Sequence, residues 1–229
     1  MNKILSITIA CCFIIVTVIT SIDFCCFDQT FYREQYQKLQ VNEDIGIDFE
    51  DLMDVTSVLL DYTQAKRSDM IIYKAVNGIE REIFNQKEKL HMADVQQLYL
   101  NAMLVRNIAF VTMLIALAIN IIMFKRQFLW SLCKYYNKVS LIFLLFLGTL
   151  IAYALVDFNT FWINFHHIFF AGNNLWLLNP NTDILIMMVP EQFFFDLVFK
   201  IIMLFGLVFS LTNGLARYYY TCKMKELKI

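Results

Sequence analysis

The chain holds three histidines, His91, His166 and His167. An imidazole titrates at about 6.5, so these are the side chains best suited to moving protons near neutral pH. Two of them sit in the uncharged stretch FWINFHHIFF and the third in the charged stretch NQKEKLHMADV. Two histidines facing each other across a cleft can serve an acyl-transfer or hydrolytic reaction, one taking a proton while the other gives one. Only one of His166 and His167 can face such a cleft, because helical neighbours point about 100° apart. The same residues also suit amphipathic interface positions, and spacing alone does not choose between the two readings.

A metal centre is the sharper rival. Glu88-x-x-His91 has the spacing of carboxylate-bridged metal proteins, and Asp94 and His166 could complete the shell. The motif occurs once, and Glu-x-x-His arises readily by chance in a charged helix, so a metal-free histidine site ranks above it. Nucleophilic catalysis has less support. There is no G-x-S-x-G, Ser57 and Ser68 sit in no recognisable setting, and Cys25 and Cys26 suit packing at the end of a span. Arg106 could hold a lipid phosphate or an ester carbonyl, or simply snorkel to the headgroups.

The elements that must position these groups belong to a membrane. The 229 residues are 59% apolar and 16% aromatic with only 6 Gly and 2 Pro, too greasy and too poor in turn residues for a soluble domain. Uncharged apolar runs over 4–22, 108–124, 139–156 and 201–216 each approach the roughly 20 residues that cross about 30 Å of hydrocarbon. The triplet IAC at 9–11 resembles a lipoprotein cleavage site, but the apolar run continues past Cys11, and the segment reads as a span. The predicted fold is a mainly α membrane protein with four transmembrane helices, over 4–23, 108–124, 139–156 and 201–216. Between them lie an extracytoplasmic subdomain at 24–107, a cytoplasmic loop at 125–138, an extracytoplasmic interfacial loop at 157–200 and a cytoplasmic tail at 217–229.

Charge sets the expected orientation. Lys3, Lys125, Arg126, Lys134, Lys138, Arg217, Lys223, Lys225 and Lys228 face a single acid, Glu226, and the other 19 of the 20 acids fall on the opposite side. Both termini should therefore be cytoplasmic. The basic residues form only this anchor, so nucleic-acid binding has no support. The six cysteines form no disulfide framework.

Within the outer subdomain, Phe49, Leu52, Met53, Leu59 and Leu60 recur at helical spacing and predict an amphipathic helix. Asn77-Gly78, between MIIYKAV and IEREIF, predicts a short β-hairpin. The following segment has no breaker and should run as one helix into the second span, with Glu88, His91 and Asp94 along one side. His91 then stands roughly 10 Å above the start of the apolar face, at headgroup depth. FWINFHHIFF is too short to cross and reads as an interfacial segment anchored by Trp162 and Trp176. Asn173, Asn174, Asn179 and Asp183 make turns on either side of Pro180.

Phe165-His166-x-Ile168-Phe169-Phe170, Asn173-x-x-Trp176-x-Leu178-x-Pro180-x-Thr182-Asp183 and Pro190-Glu191 together resemble the signature of the bacterial lipoprotein intramolecular transacylase family. Glu88-x-x-His91-Met92-x-Asp94-Val95 looks like that family's other motif. The family's two important histidines map onto His91 and His166, with His167 at a variable position, and Val189 stands where a bulkier apolar residue is expected.

The resemblance implies an enzyme on the outer face of the bacterial cytoplasmic membrane. Its partners would be membrane lipid and a diacylglyceryl lipoprotein, whose sn-2 acyl chain moves to the α-amine of the N-terminal cysteine. No cofactor and no metal would be needed. His166 would act as general base, and His91, oriented by Asp94 or Glu88, would protonate the leaving oxygen or bind the oxyanion, although these roles can be exchanged. Asn173 would donate to the carbonyl, with Trp176, Asp183 and Arg106 in support. A metal-dependent membrane lipid hydrolase and a non-enzymatic receptor or sensor are the alternatives. Oligomeric state, acyl-chain preference and lipoprotein preference are not encoded in any feature above.

Overall fold

The computed structural model describes residues 2–226. Lys228, counted above in the basic tail, lies outside them, as do the side chains of Arg126 and Glu226. The elements in order are α1 (Asn2–Cys26), α2 (Gln29–Leu39), α3 (Val41–Ile45), α4 (Phe49–Thr63), β1 (Tyr73–Val76), β2 (Ile79–Glu82), α5 (Gln86–Phe124), a 3-10 turn (Lys125–Gln127), α6 (Phe128–Val156), α7 (Phe158–Phe169), α8 (Ile184–Met188) and α9 (Glu191–Glu226). The chain divides into two compact units.

The first unit comprises 1–23, 103–161 and 200–229 and draws on α1, α5, α6 and α9, the four helices long and apolar enough to cross a membrane. α5 contains neither Gly nor Pro over its 39 residues, so nothing interrupts it. At about 1.5 Å per residue it is roughly 58 Å long, nearly twice the ~30 Å of a hydrocarbon core. The same lack of breakers lets α6 begin at Phe128, so most of 125–138 is helix after the short 3-10 turn.

Ala10, Ile14, Cys133, Tyr136, Phe205, Phe209 and Ala216 form the core of this unit. Its outward faces carry Ile142 at 68% and Leu211 at 61% exposure, a surface that water would not tolerate and lipid accepts. Polar side chains at this depth bridge the helices: Ser6 Oγ lies 3.1 Å from Ser131 Oγ, and Tyr136 Oη 2.7 Å from Thr212 Oγ1. Such bridges hold helices together where no hydrophobic force separates protein from lipid.

The second unit comprises 24–102 and 162–199. Asp48 caps α4 by accepting the Glu50 N–H at 2.9 Å. Leu52, Met53, Leu59 and Leu60 are buried, joined by Val55 and Thr56. The hairpin pairs Val76 with Ile79 across Asn77-Gly78, whose φ angles of 52° and 79° are those the tight turn requires. Gly46 is forced to be glycine both by its backbone and by a close approach. It ends α3 at φ 76°, and a Cβ there would lie 2.1 Å from Asn77 Oδ1. Phe193, fully buried, packs against Phe31, Tyr32 and Tyr36 with ring centroids 5.0–6.0 Å away.

Candidate active site

Two segments of the second unit build the site: the first turns of α5, and α7 with the loop after it. α5 opens with a capping box. Asn85 Oδ1 accepts the Glu88 N–H at 3.0 Å, and Glu88 Oε2 accepts the Asn85 N–H at 2.6 Å. The other carboxylate oxygen, Oε1, accepts the Leu185 N–H at 2.6 Å. Asn85 Nδ2 donates to Asp183 Oδ1 at 2.9 Å, and Asp183 Oδ2 accepts the Asn179 N–H at 2.8 Å. The start of α5 is thus tied to the segment leading into α8. Burial pushes the Glu88 carboxyl up, and the Leu185 and Asn85 N–H groups oppose that shift.

This fixed turn carries His91, which is 8% exposed, and faces it with His166, which is 6% exposed. Their ring centroids are 6.2 Å apart at 34°. His166 Nδ1 lies 2.8 Å from the Trp162 carbonyl oxygen. A carbonyl only accepts, so Nδ1 holds the proton of the neutral ring and Nε2 keeps its lone pair. His91 Nδ1 is buried without a hydrogen-bond partner among the described residues.

The surroundings are aromatic. Phe170 touches both histidines, at 5.4 Å from His91 and 5.6 Å from His166. Trp176 stacks on His166 at 4.8 Å, and Trp162 meets its edge at the same distance. His167 is exposed and only brushes Trp176, at 5.2 Å. Two polar ties hold the loop after α7 on α5: Asn173 Nδ2 donates to Asp94 Oδ2 at 2.8 Å, and Lys87 Nζ donates to the Leu177 carbonyl.

Several expected contacts take a different form. Neither Glu88 nor Asp94 hydrogen-bonds His91, because Glu88 spends both oxygens on backbone N–H groups and Asp94 accepts from Asn173. Asn173 is correspondingly committed, with Nδ2 on Asp94 and Oδ1 accepting the Leu175 N–H at 3.0 Å, rather than presenting a free donor. Asp183 is a buried knot in the loop. Arg106 belongs to the membrane unit, where it pairs with Asp23 at 2.9 Å. Among the described residues no three His, Cys, Asp or Glu side chains converge with the geometry of metal ligands. Asn85 and the Trp162 carbonyl were not singled out from sequence, and Phe170 entered only as part of the family signature. Asn85 had a signal, since Asn-x-x-Glu directly after a hairpin is a capping-box pattern; the Trp162 carbonyl had none.

Both histidines are held neutral. Burial lowers His91 to about 4, with His166 adding to the shift and Asp94 opposing it. Burial also lowers His166, against the pull of the Trp162 carbonyl. An unfolded chain would protonate His91 at about 6.5, so between pH 6.5 and about 4 the unfolded state binds the extra proton. Stability from this group is therefore present above 6.5 and falls as pH drops toward 4, by about 3 kcal/mol over the window. Thermal unfolding at pH 7 and pH 5 should show about 2 kcal/mol of this loss in the native protein and a flatter profile in His91→Gln.

Four helices long and apolar enough to cross a membrane and, in the second unit, a facing histidine pair walled by aromatic rings mark the chain as a membrane-integral protein with a candidate site. The family model for the lipoprotein intramolecular transacylase Lit matches residues 7–194. The chain belongs to that family, and is an acyltransferase. In fold it is similar to the membrane integral lipoprotein intramolecular transacylase Lit from Bacillus cereus, with TM-score 0.77, 16% identity, and 99% of this chain and 98% of that chain covered. A histidine-to-alanine variant of the same Bacillus cereus protein matches with TM-score 0.73, 15% identity and 98% and 96% coverage. A histidine-to-arginine variant matches with TM-score 0.74, 15% identity and 99% and 95% coverage. No curated protein matches the sequence.

Proposed function

We propose that the protein moves the sn-2 acyl chain of an S-diacylglyceryl lipoprotein to the α-amine of the same molecule's N-terminal cysteine, with His91 and His166 as the catalytic pair. The observation that carries this is the facing pair itself, 6.2 Å between centroids, with the His166 tautomer fixed by the Trp162 carbonyl.

The amine nitrogen attacks the sn-2 carbonyl carbon, and the C–N bond forms as the carbonyl oxygen takes negative charge. His166 Nε2 collects the proton the amine sheds. An α-amine has a pKa of about 8, so a useful fraction is already neutral, and a histidine is a fitting acceptor. His91, pushed down to about 4 by burial, is a poor proton acceptor, and as a neutral N–H donor it suits the oxyanion. Collapse breaks the C–O bond, and the proton held on His166 passes to the departing glyceryl oxygen. The products are an N-acyl cysteine and a free glyceryl hydroxyl, with no water consumed.

Amine and ester belong to one substrate, so holding them together supplies up to about 7–11 kcal/mol of the barrier reduction. Trp176, Phe170 and Trp162 would cover the acyl chains and keep water from the intermediate. Glu88, Asp183 and the Asp94–Asn173 tie are then positioning groups. The excess of basic residues around both termini supports cytoplasmic ends and a site on the outer face of the cytoplasmic membrane.

A crossover experiment tests the intramolecular step. Two lipopeptides that differ in both peptide and acyl chains are incubated together with the purified enzyme. Each N-acyl product should carry only its own chain, with or without a chelator. Mixed products would refute an intramolecular path, and free fatty acid that disappears on chelation would favour the metal-dependent hydrolase.

A further inference from the structure

Three acids lie on the two segments that build the site, 86–94 and 162–185: Glu88, Asp94 and Asp183. Two of them are occupied within the protein. Glu88 spends its oxygens on the Asn85 and Leu185 N–H groups. Asp183 accepts from Asn85 and Thr182 on Oδ1 and from the Asn179 N–H on Oδ2. Asp94 differs. Its Oδ2 takes the Asn173 amide at 2.8 Å, while Oδ1 accepts no hydrogen bond among the described residues, and the residue is only partly buried.

This open oxygen belongs to the site. Asp94 follows His91 by three positions, so the two side chains leave one face of α5 as neighbours. The loop that holds Oδ2 follows directly on Phe170, whose ring touches both histidines. The charge of Asp94 reaches His91, and more strongly than the opposing charge of Lys87, which turns to the Leu177 carbonyl. A cation arriving beside His91 therefore meets more attraction than repulsion from these two side chains.

The acyl transfer proposed above brings such a cation. An α-amine with a pKa near 8 is about nine-tenths ammonium at pH 7, and a charge that enters an aromatic-walled site without a counter-ion is costly. Two neutral imidazoles supply none. We propose that Asp94 Oδ1 binds the α-ammonium of the substrate's N-terminal cysteine, an assignment that rests on that reaction. Once the ammonium gives one proton to water, the amine keeps an N–H on Oδ1 and turns its lone pair to the sn-2 carbonyl carbon. Attack then releases a second proton, to His166. The product amide is uncharged and loses the ion pair, which favours its departure.

Isothermal titration calorimetry of the full chain in detergent tests this with two lipopeptides whose glyceryl chains are ether-linked and cannot move. One has a free α-amine and the other an N-acetyl group, which a site that holds an N-acyl product accommodates. At pH 7 the native protein should bind the amine about tenfold more tightly. Asp94→Asn keeps an amide oxygen for Asn173, and should bind the two equally while retaining the native affinity for the N-acetyl form. Asp94→Glu should restore part of the preference. Equal binding of both analogues by the native protein, or a preference undiminished in Asp94→Asn, would overturn the proposal. So would displacement of the amine analogue by an equal concentration of phosphatidylethanolamine, which would mark a site for any lipid ammonium. Transfer on an ester-linked lipopeptide is read separately. An enzyme that transfers without an amine preference sinks only the ammonium site, and one that does not transfer sinks the reaction beneath it.

Discussion

His166→Ala is expected to slow acyl transfer by about 10² to 10⁴-fold, the range over which a positioned proton-transfer group accelerates a reaction. The substitution removes the one imidazole whose tautomer is set, with Nδ1 on the Trp162 carbonyl and Nε2 left open. Substrate affinity should change far less, because Trp176, Phe170 and Trp162 still form the apolar walls. The effect therefore belongs in kcat, and single-turnover rates will separate it from KM. His167 stands next in sequence but is exposed and turned away, so it cannot substitute. Turnover within a few-fold of the native rate would remove His166 from the mechanism.

Glu88→Ala should give the largest loss of stability, about 3–5 kcal/mol. Glu88 is 1% exposed, and its oxygens accept two backbone N–H groups, those of Asn85 and Leu185. A hydrogen bond to a charged acceptor contributes about 1.5–3 kcal/mol, and the Leu185 donor would be left buried and unpaired. Glu88→Gln keeps one amide oxygen as an acceptor and should fall between the native protein and the alanine variant. Thermal unfolding measures this directly. If Glu88 instead acted only by orienting His91, alanine would lower kcat and leave the unfolding temperature unchanged, which is the outcome that would contradict the clamp.

The sequence showed the fold more clearly than the site. An apolar run of membrane length without breakers has few ways to fold other than as a helix, and α1, α5, α6 and α9 contain the four runs. Asn77-Gly78 set the hairpin because both turn residues need positive φ, and α4 followed from the spacing of Leu52, Met53, Leu59 and Leu60. In each case the determinant is local.

The site depends on contacts between His91 and His166, 75 positions apart, and no periodicity encodes such a meeting. Their pairing was reached only through a motif resemblance. The polar partners were misjudged for a related reason: Glu88 and Asp94 look like orienting groups for His91 on a helical wheel. The backbone N–H groups of Asn85 and Leu185, and the amide of Asn173, compete for them and win. A buried N–H left unpaired costs as much as the lost hydrogen bond, so a nearby carboxylate is taken up by backbone before it can serve a side chain. The capping box at Asn85 was the visible warning.

The central claim is that a metal-free histidine pair moves an acyl chain within one lipoprotein molecule. Its most direct test is tandem mass spectrometry of a synthetic S-diacylglyceryl lipopeptide after incubation with the purified enzyme. Intramolecular transfer leaves the mass of the parent ion unchanged, so fragmentation must locate the chains. The account predicts one acyl group on the cysteine nitrogen and one on the glyceryl, formed equally with chelator present and lost with His166→Ala. Loss of one chain as free acid, or an N-acyl product that His166→Ala still forms at the native rate, would contradict it.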